Sequence, residues 1–155
     1  MAGTGPGPGP AELTDYESHV LASWTDTHKK SALMLLILLA LVEGPGWSAQ
    51  VRDFISGATG GRLAVDEQSL HRALRRVEGL NLITHAAQPA PGTGAKRKVY
   101  ELTASGGRVL SAYLDGPLGY LSSPDYLGAV AVLRSTATAP SVPERGVAQG
   151  VSPVG

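Results

Sequence analysis

The sequence predicts a mainly α-helical domain that carries one small β-hairpin. Apolar residues recur at helical spacing along most of the chain, and two β-prone segments flank a tip rich in glycine and proline. Glycine, proline and helix-capping residues also stand where the helices should begin and end. With 155 residues, the chain is long enough for one ordinary domain with tails.

The two ends of the chain are expected to lie outside that domain. Residues 1–10 and 136–155 are rich in glycine and proline, so they cannot bury a core and should be disordered tails. The folded domain is therefore expected at residues 11–135. Its longest apolar run, residues 32–42, is shorter than the roughly 20 residues that a membrane-spanning helix needs.

Two helices are expected before the first Gly-Pro-Gly break. The first, Ala11 to Trp24, has its apolar residues on one face. The second should begin at Thr25 or Asp26, whose side chains can accept hydrogen bonds from free N–H groups, and run to Glu43. Its second half is apolar all round, which predicts a central, buried position.

Two further helices follow, and the second of them is strongly amphipathic. Ser48 is expected to cap the first, and its inward-facing residues are expected to be Val51, Phe54 and Ile55. Asp66 should cap the second, in which Gln68, Arg72 and Arg75 point away from the apolar face. The residues that flank this outer face are Ser69, His71 and Arg76.

A hairpin and two more helices complete the expected elements. Residues 82–87 and 96–102 are β-prone, and residues 88–95 form the tip between them. Asn81 suits the left-handed exit from the preceding helix, and Thr103 can cap the helix that follows the hairpin. Gly116 and Pro117 break that helix, and a last one is expected from Pro124 to Arg134.

The formal net charge is zero, but the basic residues are concentrated in one part of the chain. Residues 62–98 hold seven lysines and arginines against three acidic residues, whereas residues 1–61 hold three against six. Local clustering of this kind, and not net charge, indicates a polyanionic partner. The absence of cysteine excludes disulfides and thiolate nucleophiles, and it fits a cytoplasmic protein.

The sequence carries no motif for catalysis, a metal or a cofactor. Gly92 to Lys96 is superficially similar to a phosphate-binding loop, but that loop requires serine or threonine directly after its lysine, and here Arg97 follows. The four histidines lack the short spacings of metal ligands. We therefore expect that the protein is not an enzyme and that it has neither a metal site nor a bound cofactor.

The amphipathic helix and the basic hairpin together predict a winged helix-turn-helix with extra N- and C-terminal helices. Such a helix can place its outer side chains in the major groove, and the hairpin can neutralise phosphates beside it. Either element alone could be an ordinary solvated surface, but their order favours double-stranded DNA as the partner. The expected contacts are Gln68, Ser69, His71, Arg72, Arg75, Arg76, Lys96, Arg97 and Lys98.

Two tryptophans and two apolar stripes are not assigned to the core of the expected domain. Trp24 and Trp47 could line a pocket for a small aromatic effector, or could pack at helix ends or at a subunit contact. The stripes at Leu13–Leu21 and Tyr113–Leu114 are expected to bury each other or a second copy of the chain, which predicts a homodimer.

These segments resemble the PadR-like family of bacterial transcriptional regulators over about residues 33–114. The matching segments are LLILLALVEGP from Leu35, QSLHRALRRVE from Gln68, Leu82-Ile83, and KRKVYELT from Lys96, followed by Gly106 or Gly107 and Arg108. The resemblance implies a dimer formed through terminal helices that represses promoters until an effector binds. The family usually has Tyr-Pro where this chain has His71-Arg72, and Gly-Tyr where it has Ser48-Ala49, which predicts an operator of its own.

The sequence therefore predicts a sequence-specific DNA-binding transcriptional regulator, a repressor, that binds a pseudo-palindromic operator as a homodimer. The alternative is a winged-helix protein-interaction module that has lost DNA binding. That module would tolerate charge reversal at Arg72, Arg75 and Lys96 without loss of function.

Overall fold

A computed structural model describes residues Glu12–Ala137 in two units. The unit Leu13–Tyr120 contains the sheet and the hydrophobic core, and residues from Leu121 onward belong to the other unit. Of the predicted tails, residues 1–10 and 138–155 lie outside the described residues. The elements of the Leu13–Tyr120 unit are α1 (Asp15–Ala40), β1 (Gly46–Trp47), α2 (Ser48–Thr59), α3 (Glu67–Gly79), β2 (Ile83–Pro89), β3 (Lys96–Leu102) and α4 (Ala104–Asp115).

Helix α1 is one continuous helix of 26 residues, so the prediction of two helices meeting at Trp24 and Thr25 is wrong. A side chain such as that of Asp26 caps a helix only where the backbone leaves the helical conformation, and no glycine or proline forces an exit between residues 15 and 40. The N-cap is Thr14, in a capping box in which the Glu17 side chain accepts from the Thr14 N–H at 2.7 Å.

The core lies where the C-terminal half of α1 packs against α2, α3 and α4, and it includes Ile83 and Tyr100 of the sheet. This half of α1 is the segment predicted to be central, and Ile37 and Leu38 within it are almost fully buried. Burying one such side chain contributes about 1.5–3 kcal/mol. The largest fully buried side chains of the described residues are Ile37, Val51, Ile55, Leu70, Leu74, Val77 and Ile83.

The sheet has three antiparallel strands in the order β1-β3-β2, one strand more than the predicted hairpin. The added strand β1 is two residues long and pairs Gly46 with Tyr100 and Trp47 with Val99. Strands β2 and β3 pair from Ile83 opposite Leu102 to Pro89 opposite Lys96. The expected hairpin is therefore present, and its tip is confined to residues 90–95.

Helices α2 and α3 form a helix-turn-helix. Helix α2 ends at Gly60, whose φ of 59° lies in the left-handed region that favours glycine. The prediction that Phe54 faces inward is wrong, because its side chain is 40% exposed while Val51 and Ile55 of the same helix are buried. Helix α2 also begins one residue earlier than predicted, with Ser48 as its first residue and Trp47 at the N-cap position.

The junction between α3, the hairpin and α4 is held by backbone hydrogen bonds at Leu82. Asn81 adopts the predicted left-handed conformation, with a φ of 60°. The Leu82 carbonyl then accepts a hydrogen bond from the Thr103 N–H at 3.0 Å. The Thr103 hydroxyl donates to the carbonyls of Asn81, at 2.7 Å, and Leu82, at 3.0 Å. The Thr103 hydroxyl in turn caps α4 by accepting from the Gly106 N–H at 2.9 Å, as predicted. The Leu82 carbonyl therefore joins the start of the hairpin, just after α3, to the start of α4.

The unit that begins at Leu121 contains the predicted last helix, α5 (Pro124–Ala137). A short 3₁₀ turn, Gly119–Ser122, precedes it. Helix α5 extends beyond the predicted limit at Arg134, and its described side chains are nearly all exposed. None of the helices between Glu12 and Ala137 combines the length and apolar character that a membrane crossing needs.

Gly106→Ala is expected to destabilise the domain by about 1–3 kcal/mol, because a Cβ at this position would overlap the Leu82 carbonyl oxygen. Urea unfolding followed by circular dichroism measures the free energy of unfolding. The matched control is Gly107→Ala in the same helix, where a Cβ meets nothing within 4 Å. That variant should gain about 0.5–1 kcal/mol from the helix propensity of alanine. Equal effects of the two substitutions would contradict the close contact at Leu82.

Candidate nucleic-acid interface

The N-terminus of α3 is fixed by Asp66. One carboxylate oxygen of Asp66 accepts from the Ser69 N–H at 2.8 Å, and the other accepts from the Ser69 hydroxyl at 2.7 Å. The hydrogen bond from the Ser69 backbone, followed by that from its hydroxyl, lowers the pKa of Asp66, and the Arg72 guanidinium adds to the effect. Ser69, which the sequence predicts to contact DNA, is half-buried, and its hydroxyl already donates to the Asp66 carboxylate.

The outward face of α3 carries the amide and guanidinium groups that the sequence predicts there. Gln68, Arg72 and Arg75 are exposed, and they lie opposite the buried Leu70 and Leu74 at 100° per residue. Amide and guanidinium groups in this arrangement can donate hydrogen bonds to base edges or to phosphates. We name these three residues the α3 outer face.

The two flanks of α3 differ from each other. On one flank, His71 Nε2 lies 3.6 Å from a carboxylate oxygen of Glu67, one turn earlier. On the other flank, Arg76 is exposed and Ser69 is half-buried. His71 is therefore placed beside a carboxylate, whereas Arg76 has no carboxylate within salt-bridge distance among the residues that the structure describes.

A histidine–carboxylate contact and an aromatic contact join the C-terminal end of α3 to the hairpin. Glu78 of α3 and His85 of β2 approach to 2.5 Å between Oε2 and Nδ1. The His85 ring also packs against Tyr100 of β3, with ring centroids 5.8 Å apart. Burial raises the pKa of Tyr100, the Glu78 carboxylate raises it further, and Arg75 opposes both. The hairpin is therefore held against the helix by side chains of both strands.

The three cations at residues 96–98 divide between the two faces of the hairpin, because side chains alternate along a strand. Lys96 and Lys98 are exposed and share the face of Tyr100, which is the face that meets α3. Arg97 lies on the opposite face, where its guanidinium carbon is 3.2 Å from the ring centroid of Trp47 in β1. Within the described residues, the buried Arg97 Nε has no hydrogen-bond partner.

The two tryptophans predicted to line an effector pocket have different surroundings. Trp47 lies beneath Arg97, and Trp24 on α1 is 74% exposed. A cleft of about 610 Å³ does lie between α1, α3 and α4, but neither tryptophan lines it. The effector pocket at these tryptophans stays a prediction.

The sequence interpretation missed the contacts that orient the hairpin. The contact between Glu78 and His85 joins residues in different elements, and a lone histidine in a strand carries no signal of its own. The stacking of Arg97 on Trp47 depends on β1, which has only two residues and is defined by its pairing with β3. Between Glu12 and Ala137, no three histidine or carboxylate side chains converge as at a metal site.

A helix-turn-helix followed by a hairpin that packs on its second helix defines the winged helix-turn-helix class. Residues 37–112 match the model of the transcriptional regulator PadR-like family, so the chain contains a PadR-like domain. The fold expected from the sequence is thereby confirmed. A comparison with curated protein sequences gave no significant match.

Two solved structures of similar fold illustrate this relationship. A PadR family transcriptional regulator from Eggerthella lenta is 20% identical, with a TM-score of 0.58 over 79% of this chain and 99% of that chain. PadR from Bacillus subtilis, solved in complex with operator DNA, is 21% identical, with a TM-score of 0.50 over 68% of this chain and 61% of that chain. At such identities the likeness concerns the fold alone.

The contact between Arg97 and Trp47 is expected to contribute about 1 kcal/mol to folding, in the middle of the range for cation–π pairs. A double-mutant cycle of Arg97→Met and Trp47→Leu, measured by urea unfolding, isolates this coupling energy. The control cycle pairs Trp47→Leu with Lys98→Met on the other hairpin face and should give a coupling near zero. A coupling equally small in both cycles would show that the stacking contributes nothing.

Proposed function

We propose that this protein is a sequence-specific transcriptional repressor that binds a pseudo-palindromic operator as a homodimer in the cytoplasm. The observation that carries the proposal is that α3, with its outer face, and the hairpin, with Lys96 and Lys98, are packed on each other. Both sets of side chains are exposed, and the contact between Glu78 and His85 holds the hairpin against the end of α3.

The α3 outer face and the hairpin lysines match two features of duplex DNA, the base edges in the major groove and the phosphate backbone. A major groove admits one α-helix, and the arginine fork matches the two acceptors of guanine, so Arg72 and Arg75 are assigned to base edges. Lys96 and Lys98 on the hairpin are assigned to phosphates, whose neutralisation releases counterions and makes binding depend on salt. The structure of Bacillus subtilis PadR with its operator DNA supports binding of a duplex by this fold.

Two carboxylates near this surface lie beside histidines. Glu67 lies beside His71, and Glu78 beside His85, at opposite ends of α3. The two arginines of the α3 outer face, Arg72 and Arg75, lie between these two contacts along the helix. The middle of the exposed face therefore presents cations to a polyanionic ligand.

The homodimer is assigned to the exposed apolar stripe of α1. Tyr16, Val20 and Trp24 share one face of the helix at i, i+4 spacing, with Leu21 beside them and Leu13 just before the N-cap. These side chains leave much of their surface in water, as with Tyr16 at 77% and Trp24 at 74% exposure. Burying such a stripe against the same stripe of a second copy gives a two-fold symmetric contact. The stripe consists of Leu13, Tyr16, Val20, Leu21 and Trp24.

Arg72→Ala is expected to lower affinity and to relax base preference at one position, at a cost of about 1–3 kcal/mol. Lys98→Gln should weaken binding to all sequences alike and lower the slope of log K against log salt by about 1. Fluorescence anisotropy with duplexes from the region upstream of the protein's own gene, over a salt series, measures both effects. Arg108→Gln on α4 is the control and should leave affinity and slope unchanged.

Two outcomes of this experiment would overturn the proposal. Absence of salt-dependent binding of the wild-type protein to any duplex would refute DNA binding. Retained function after charge reversal at Arg72, Arg75 and Lys96 would instead favour a protein-interaction module on the same fold. A reporter gene placed behind the bound sequence decides the sign of regulation, and increased transcription in the presence of the protein would refute repression.

Trp24→Lys is expected to weaken the dimer by about thirtyfold in Kd, because an aromatic residue at the centre of an interface contributes about 2 kcal/mol or more. Light scattering behind a sizing column, over a concentration series, measures the dissociation. Ala22→Lys on the opposite side of α1 is the control and should leave the dimer intact. A wild-type monomer at all concentrations, or equal weakening by both variants, would refute this interface.

A further inference from the structure

Of the three cations in β3, Arg97 alone lies on the sheet face opposite to the one that meets α3. Its guanidinium carbon is 3.2 Å from the ring centroid of Trp47, so the planar group lies against the face of the ring. Trp47 pairs with Val99, and Val99 and Arg97 are two residues apart in β3, so all three side chains share one sheet face. The exposed Lys96 and Lys98 are on the other face.

Trp47, the stacking partner, is fixed at the start of α2. It occupies the N-cap position of that helix, and its N–H donates to the side-chain oxygen of Gln50 at 3.2 Å. Helix α2 is the first helix of the helix-turn-helix. The Arg97 side chain is therefore stacked on a residue whose position is set by the helix-turn-helix as well as by the sheet.

Arg97 makes this contact close to the outer end of the hairpin. In the register of β2 and β3, it is opposite Gln88, next to the last pair before the tip at residues 90–95. The contact of Glu78 with His85 lies three pairs nearer the base. The hairpin is therefore attached to the helix-turn-helix from both faces, to the end of α3 near its base and to the start of α2 near its tip.

The surroundings of Arg97 differ from those of a side chain that is free to contact a phosphate. Its Nε is buried and has no hydrogen-bond partner among the residues that the structure describes, whereas Lys96 and Lys98 are exposed. A donor that leaves water without gaining an acceptor is unfavourable by itself. The contact with the Trp47 ring offsets part of this cost, and it holds the guanidinium on the sheet.

We infer that Arg97 is a positioning residue for the hairpin, which acts on DNA binding through Trp47 and not through contact with a phosphate. This role rests on the proposed function, because it concerns how Lys96 and Lys98 reach their phosphates. The stacking restricts the outer end of the hairpin before DNA is bound, so less conformational entropy is lost when the two lysines bind. Without the stacking, both lysine contacts still form, but the hairpin must be ordered during binding.

The salt dependence of affinity separates positioning from phosphate contact, and fluorescence anisotropy with the tightest-binding upstream duplex measures it. Trp47→Leu changes no charge. It should weaken binding by about fivefold, the factor that corresponds to one cation–π contact, and leave the slope of log K against log salt unchanged. Arg97→Met should cause a loss of similar size, and the double variant should bind no more weakly than either single variant. Trp47→Phe keeps an aromatic face and should retain most of the affinity.

Lys98→Met is the matched control, because it removes a cation from the same strand on the other face. It should lower the slope by about 1, as the loss of one phosphate contact does. A slope lowered by about 1 in Arg97→Met, together with full affinity in Trp47→Leu, would show that Arg97 contacts a phosphate and would overturn the positioning role. Unchanged affinity in both variants would overturn it as well.

A measurement without DNA separates the positioning role from the proposed function. The heteronuclear NOE of backbone amides at residues 90–95 should fall in Arg97→Met and Trp47→Leu, and should keep its wild-type value in Lys98→Met. Circular dichroism establishes that each variant is folded, and if Trp47→Leu does not fold, Arg97→Met and Trp47→Phe provide the comparison. Unchanged NOE values would refute the positioning role even if DNA binds. Lower values without binding of any duplex would retain the attachment of the hairpin and refute the proposed function instead.

Discussion

The carbonyl oxygen of Leu82 is the point on which the arrangement of the winged domain depends. It accepts from both the N–H and the hydroxyl of Thr103, and it lies so close to Gly106 that α4 can approach only because that residue has no side chain. Three elements meet there: the end of α3, the start of the hairpin and the start of α4. Because a buried carbonyl without partners would cost about 1–3 kcal/mol, the close approach and the hydrogen bonds stabilise each other.

This junction determines how the candidate interface is built. With the end of α3 fixed, β2 leaves in a direction that brings His85 to Glu78, and Tyr100 of the paired strand is buried against the same region. The hairpin is thus oriented by the contacts of His85 and Tyr100 with the end of α3, and not by contacts of its tip at residues 90–95. The lysines near its outer end are therefore positioned relative to the α3 arginines by Glu78, His85 and Tyr100.

The local features of the fold could be predicted from the sequence, whereas the features set by distant pairing could not. Asp66, Asn81 and Thr103 act where they were expected, because a cap or a left-handed residue depends on neighbours in the chain. The break expected at Trp24 is absent, since a potential capping residue does not itself end a helix. Strand β1 could not be predicted, because its two residues are a strand only through their pairing with β3.

The same distinction applies to the candidate site. The periodicity of α3 was sufficient to place Gln68, Arg72 and Arg75 on the outer face. The separation of Arg97 from Lys96 and Lys98 follows from strand alternation, but the stacking partner that fixes it, Trp47, lies 50 residues earlier in the sequence. The cleft between α1, α3 and α4 required three helices to be placed in space, so it had no signature in the sequence.

Because α1 is continuous, its two halves form one rigid element. At 1.5 Å per residue, its 26 residues form a rod about 39 Å long with no hinge along it. The exposed stripe lies on the first half of this rod, and the second half supplies both the core residue Ile37 and one wall of the cleft. A tilt of the exposed half is therefore transmitted to the core and to the wall of the cleft as a rigid-body movement.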